Sequence, residues 1–369
     1  MKKLILLQLL AILFASCGEG FLNEGLDNAE LGEVCQYNTD ILPPLGFEID
    51  TIGKIDFNGN VQGFQFIDHK IGYALVSNNV GGFVEVFKTV DGGETWSDLE
   101  IGIDQFPRNM VFKDENLGII TVHDVTGCPP PNCQDKTVIL KTENGGVDWE
   151  EIEIQELNGI LYHPKFDENG NLYANLSMID KPTAIMKSQD SGATWDTLYT
   201  SAALDFKSVT FSYELYEDKL FVAAKEGKIE VIDTEGNLIK TLETGGSRIN
   251  DLTVIDDNNI VVALSGEVIK TNNGGTTWET IYDASARIIG FESVEKGLML
   301  LSKSFCPTDV YQANDVLATT GNGGIDWTEA AATTTNLRIN FAESQQMGEN
   351  AWYTIIDNHL ISMFELQLK

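Results

Sequence analysis

The chain is poor in positive charge. Its 24 lysines and arginines face 56 aspartates and glutamates, and only four of the basic residues are arginines. A formal net charge of −32 repels phosphate backbones and anionic lipid headgroups, which argues against nucleic acid as a partner. Histidine is scarce too: His69, His123, His163 and His359 make no metal-like spacing with one another or with cysteine, so no zinc site is expected. "DENGN" (Asp167 to Asn171) begins like a calcium loop but has neither the sixth-position glycine nor the twelfth-position glutamate, and reads as a hairpin turn. There is no phosphate-binding glycine loop and no nucleophile elbow, so no cofactor is implied. Nine prolines beside 34 glycines and 43% hydrophobic residues exclude a collagen-like or disordered chain and fit a folded body with many turns.

The one pronounced apolar run, Leu4 to Phe14, follows two lysines and is too short to span a bilayer as a mature helix. It has the charged and apolar regions of an export signal, so residues 1–16 are expected to be removed. The ending "FASC" resembles the lipobox of bacterial lipoproteins, with Phe14 where leucine is usual. That resemblance implies that Cys17 becomes a lipid-modified N-terminus. Residues 17–45 show no sustained period and read as a tether. Glu19, just after Cys17, is similar to the surface-export signal of Bacteroidetes lipoproteins. With Cys17 lipidated, four cysteines remain, and an even count in an exported protein suggests disulfides. Cys128 and Cys133 flank "PPPN", a stiff turn that brings them within bridging range, which leaves Cys35 with Cys306 by elimination.

What the chain has in quantity is repetition. "KTVDGGETW" ends at Trp96, "KTENGGVDW" at Trp149, "KSQDSGATW" at Trp195, "KTNNGGTTW" at Trp278 and "TTGNGGIDW" at Trp327. The spacing is near 50 residues except for one gap of 83, and "VIDTEGNLIKTL" (Val231 to Leu242) divides that gap, with Asp233 in the place of Asp91. Units of this length, each with about four short apolar segments separated by polar turns, suit the four-stranded blades of a β-propeller. Six units are visible, and the end of the chain supplies strands without the phrase. A ring must close, and "FEIDTIGKI" (Phe47 to Ile55) is the candidate strand to complete the last blade. The expectation is an all-β fold over residues 46–369: seven four-stranded antiparallel blades, with six or eight as the alternatives.

The phrase S/T-x-D-x-G-x-T-W resembles the Asp-box, or BNR repeat, of sialidases, sortilin-type receptors, xyloglucan-active glycoside hydrolases and propellers similar to photosystem II assembly and stability factors. The fullest copies are Thr89, Asp91, Gly93, Thr95, Trp96 and Ser188, Asp190, Gly192, Thr194, Trp195, and the uniform units look most like the assembly-factor type. The chemistry favours a building role. A short carboxylate or amide accepts backbone N–H bonds inside a hairpin, glycine takes positive φ, and tryptophan covers the turn. Asn144, Asn273 and Asn322 replace the aspartate and can make the same bonds, whereas a calcium site would retain charge.

The candidate binding residues are the cations near the starts of first strands: Arg108, Lys207, Arg248, Arg287 and Arg338. Arg108, Lys207 and Arg287 each precede an aromatic by four residues, and first strands line a propeller's channel. Convergence at one mouth would make an anion site, with arginine forks matched to a carboxylate. Sialidases use an arginine cluster, but their "R-I-P" first-strand motif is absent here. A glycosidase of another type needs two carboxylates at a set separation, and 56 acidic residues do not single out a pair.

The functional expectation is an exported, lipid-anchored scaffold for binding or assembly. It sits in the cell envelope, as an outer-membrane or surface lipoprotein with the periplasmic side as the alternative. Its partner is a protein, and a glycan is the second possibility; membrane contact comes through the N-terminal lipid only. A glycan-active hydrolase on the same fold, sialidase-like or xyloglucanase-like, is the alternative function.

Overall fold

The computed structural model describes residues 49–56, 59–78, 84–101, 106–124, 136–177, 184–204, 213–246, 248–291, 293–303, 314–331, 339–346, 351–356 and 360–366. Its strands form seven separate four-stranded antiparallel sheets. Six are consecutive in sequence; blade 1, for instance, uses Gly59–Phe66, Gly72–Asn78, Val84–Thr89 and Ser97–Asp98 in spatial order. The first strands of neighbouring blades pack on one another around the ring, including the last blade on the first, and blades 3 and 4 are linked by the Tyr213 hydroxyl donating to His163 O. This is a seven-bladed β-propeller, as the repeats imply.

The seventh sheet closes the ring. Ile339–Gln346, Ala351–Ile356 and Leu360–Leu366 are its three inner strands, and the N-terminal Ile49–Asp56 is its outermost. The closing strand pairs antiparallel with Leu360–Leu366, from Ile49 opposite Leu366 to Asp56 opposite Leu360. The segment between the tryptophans at 195 and 278 also builds a full blade, Tyr213–Tyr216, Lys219–Ala224, Lys228–Asp233 and Leu238–Glu243. Asp233 turns its hairpin by accepting the amides of Glu235 and Asn237.

Blades 1, 2 and 6 are each held at one end by the same stack. Phe66, Phe112 and Phe291 end their first strands and lie over the glycine that opens the second: Gly72, Gly118 and Gly297. The same rings meet the indoles of Trp96, Trp149 and Trp327 edge-on, at 5.8, 6.1 and 6.3 Å between centroids. Glycine is needed because a Cβ at these positions would overlap the phenyl ring. Such aromatic contacts add about 0.5–1.5 kcal/mol beyond area burial.

Blades are joined by tyrosine and lysine. The fully buried Tyr73 of blade 1 stacks on Phe112 of blade 2, with centroids 3.6 Å apart. Its hydroxyl donates to the carbonyls of Glu115 and Gly145. Lys88 reaches Gly145 O, Lys187 reaches Thr234 O, and Lys240 reaches Gly274 O, each a carbonyl in the last hairpin of the following blade. Burial pushes the Lys88 ammonium below its ordinary value, with Glu115 acting against the shift.

The second glycine of the repeated phrase serves the same joint. Gly324 has φ 93°, and a Cβ there would lie 2.8 Å from Cβ of Ile281 in the preceding blade. Gly324→Ala is therefore expected to cost about 1–3 kcal/mol, through backbone strain and the displaced contact. Chemical denaturation of the two proteins measures it.

Candidate functional site

The repeated phrase forms the hairpin between third and fourth strands in five blades. In the first copy the Thr89 hydroxyl donates to Asp91 Oδ1 at 2.8 Å and accepts the Gly93 amide at 2.8 Å. Asp91 also accepts the Thr95 amide at 2.9 Å and the Thr95 hydroxyl at 2.5 Å. Asp190 with Ser188 and Thr194 repeats this arrangement. Where asparagine stands in, Oδ1 keeps the acceptor role and Nδ2 turns the outer bond round. Asn144 donates to Asp148 and Asn322 to Asp326, each at 3.0 Å, and Asn273 donates to Thr277 at 2.8 Å. In all five copies the leading Thr or Ser, the Asp or Asn and the second glycine amide are engaged within the turn, which suits a structural joint.

The indoles complete the turns in different ways. Trp149 and Trp195 donate to Gly146 O and Gly192 O, while Trp327 reaches back to Ile281 O of the preceding blade. Trp96 and Trp278 also pack against the apolar cores of their blades.

Three of the five candidate cations lie within the described residues. Arg108 is exposed in the bulge between Pro107 and Asn109, and its guanidinium donates to His123 Nδ1 at 2.9 Å. That bond requires the His123 proton to sit on the other ring nitrogen. Arg287 is exposed opposite Leu300 in the first strand of blade 6, Ala286–Phe291, and Arg248 is exposed just before the first strand of blade 5, Ile249–Val254. The described structure shows no bond that brings these cations together. Arg338 and Lys207 lie outside the described residues, as do Cys17, Cys35, Cys128, Cys133 and Cys306.

Lys207 and Phe211, on which it aligns in the sequence, both lie outside the described residues. Tyr216 pairs with Lys219 at the start of the second strand, where Phe66 and Phe112 pair with Gly72 and Gly118, so Tyr216 is the equivalent aromatic in blade 4. The turn here is only Glu217 and Asp218, shorter than the first hairpins of blades 1, 2, 3, 5 and 6.

The structure instead shows a cavity at the other ends of the first strands. It encloses about 470 Å³, is open to solvent, and is lined from four consecutive blades. Gln65 comes from blade 1, Phe112 and Lys113 from blade 2, Lys165, Phe166 and Glu168 from blade 3, and Glu214 and Leu215 from blade 4. Arg108 lies four residues before Phe112, about 13 Å back along the strand, so it and the cavity lie toward opposite ends of the first strand of blade 2.

Bonds between blades hold the cavity wall. Gln65 clasps the Phe112 backbone through both amide atoms, at 2.8 and 2.6 Å. Lys165 bridges to Glu214 at 2.8 Å, and the Tyr213 hydroxyl donates to His163 O at 2.7 Å. Burial raises the Tyr213 phenol well above its ordinary value, so it acts only as a neutral donor. Asp167 is buried and bound by Asn171 and Tyr173; "DENGN" is the hairpin turn expected of it. Among the described residues no three His, Cys, Asp or Glu side chains are arranged to hold a metal, and no helix is long and apolar enough to cross a membrane.

The fold defines a closed β-propeller with an open, mixed-charge channel mouth. Structural comparison agrees on the fold. A structure described as "YCF48 bound to D1 peptide" matches with a TM-score of 0.60 and 15% identity, over 88% of this chain and 98% of that one. YCF48 from Cyanidioschyzon merolae matches with a TM-score of 0.60 and 14% identity, over 86% and 98%. The GH74 xyloglucanase from Xanthomonas campestris matches with a TM-score of 0.52 and 13% identity, over 88% of this chain but 54% of that enzyme. No protein-family model matches the chain, and no curated protein matches it.

The acid response of the repeated turn is a direct check. Hydrogen bonds from the Thr95 hydroxyl and amide, then from Thr89, hold the Asp91 carboxyl down to about 2, from an ordinary 3.8. A depressed pKa stabilises the fold above the unfolded value and loses that effect as pH falls toward 2. Asp91→Asn, which copies Asn273 facing Thr277, is expected to fold normally at neutral pH and to flatten the loss of stability between about pH 4 and 2. Asp91→Ala should be the less stable of the two at neutral pH. Urea denaturation across that pH range compares them.

Proposed function

We propose that this chain is an exported, lipid-anchored β-propeller that acts as a protein-binding scaffold. An extended segment of the partner enters the channel mouth where the first strands of blades 1 to 4 end. The observation that carries the reading is the open cavity of about 470 Å³ at that mouth. Phe112, Phe166 and Leu215 give it an apolar floor, and Lys113, Lys165, Glu168 and Glu214 give it charges of both signs. Such a site suits a peptide better than a single small anion. Two resemblances support the reading: the repeated turn resembles the Asp-box of assembly-factor propellers, and a propeller of similar fold carries a peptide.

A glycan-active hydrolase has less support. It needs one carboxyl held protonated beside a second that is free to act. In the cavity, Glu214 is paired with Lys165 and Asp167 is bound by Asn171 and Tyr173. Every described carboxylate with a displaced pKa is displaced downward, as at Asp91, Asp114 and Asp233.

Two experiments test this account. Crosslinking in intact cells should capture specific proteins with the native chain and lose them with a Lys113→Ala, Glu168→Ala double variant. Loss only in Arg108→Ala, Arg287→Ala would move recognition to the opposite mouth, and no change in either would overturn a channel site. For the anchor, Cys17→Ser should release the protein from the membrane fraction into the soluble one; a variant that stays membrane-bound contradicts lipid attachment there.

A further inference from the structure

Three of the six Asn–Gly pairs in the chain occupy the same place in the repeated turn: Asn144 with Gly145, Asn273 with Gly274, and Asn322 with Gly323. Asn–Gly is a chemically labile pair, because glycine has no side chain to hinder attack by its own backbone nitrogen. That nitrogen, on losing its proton, bonds to the asparagine Cγ and closes a succinimide ring; the side-chain nitrogen leaves as ammonia. Water then opens either ring carbonyl, giving aspartate or isoaspartate. The step takes up water and releases ammonia, and needs no oxidant, reductant or cofactor.

The fold restrains this reaction at all three places. The attacking amides are engaged as donors to the first hairpin of their own blade: Gly145 to Asn116 O at 2.9 Å, Gly274 to Asn258 O at 3.0 Å, and Gly323 to Glu295 O at 2.7 Å. Each asparagine Oδ1 also accepts two bonds, as at Asn144 from the Thr142 hydroxyl and the Asp148 amide. Reaction then has to proceed through local opening of the turn.

The consequence of reaction differs between the turns. Asn144 and Asn322 donate to carboxylates, Asp148 and Asp326, at 3.0 Å. Conversion to aspartate removes the donor and sets two carboxylates face to face. Asn273 faces the Thr277 hydroxyl, which can reverse its role and donate, as Thr95 does to Asp91 and Thr194 to Asp190. We propose that Asn144 and Asn322 are the positions where deamidation, once the turn has opened, destabilises the fold by turning a hydrogen bond within the hairpin into a repulsive contact, and that conversion of Asn273 to aspartate is silent.

Substitution isolates the charge effect from the isoaspartate backbone. Asn144→Asp and Asn322→Asp should each lower the thermal midpoint by about 2–4 °C, and Asn273→Asp should leave it unchanged. Adding Asp148→Thr to Asn144→Asp should restore the midpoint, and Asp148→Thr alone, which copies the Asn273 turn, should fold normally. Equal losses at all three positions, or no rescue by Asp148→Thr, would overturn the pairing argument. Peptide mapping after incubation in mildly alkaline buffer tests the chemistry itself. Conversion at the three positions should be at least roughly tenfold slower in the folded protein than in the urea-denatured chain. Equal rates would overturn the protection by the glycine amide bonds.

Discussion

Closure of the ring by Ile49–Asp56 is the constraint on which the rest of the structure depends. Seven sheets packed face to face leave one sheet unfinished if the chain simply runs from first blade to last. By taking its outer strand from the other end of the chain, blade 7 ties residues about 300 apart into one ladder. The first strands then press together around the channel, and the channel mouth acquires a fixed wall. Without that tie the contact between blade 7 and blade 1 would have to hold through side chains alone.

Within the closed ring, stability is organised at the joints between blades. Tyrosine hydroxyls, lysine ammoniums and the second glycine of four of the turns, Gly146, Gly192, Gly275 and Gly324, all act across a boundary between neighbouring blades. At Asn144, Asn273 and Asn322 the repeated phrase carries the receiving half of the joint: the carbonyls of Gly145, Gly274 and Gly323 accept a lysine of the preceding blade, and Gly146, Gly275 and Gly324 admit that blade's Leu or Ile. This explains why Asp and Asn alternate at the turning position. The joint needs an acceptor at Oδ1 and a consistent outer partner, and it does not need charge. A binding site can then lie elsewhere, at the channel mouth.

Much of this was legible in the sequence for a physical reason. A turn that needs an Asx acceptor, positive φ and an aromatic cover leaves a phrase of fixed spacing, so the blades could be counted even where Asp233 had lost its tryptophan. The closing strand was legible because an incomplete last unit demands one. The cavity at the strand ends was not. Gln65 meets Phe112 and Lys165 meets Glu214 across 47 and 49 residues, a coupling that no local window contains. Nor was Tyr216 legible as the aromatic that ends the first strand of blade 4, because the two-residue turn at Glu217 and Asp218 makes that hairpin unlike the others. The lysines before the repeated phrase were visible, but their targets in the next blade were not.

The most direct measurement of ring closure is a cysteine cross-link across the last ladder. Lys54 lies opposite Ser362, and paired residues on neighbouring antiparallel strands fall within disulfide range. In a Lys54→Cys, Ser362→Cys protein under mild oxidation, peptide mapping should find positions 54 and 362 linked by an intramolecular disulfide. A link found only between chains, or none at these positions while the protein stays folded, would contradict closure by the N-terminal strand.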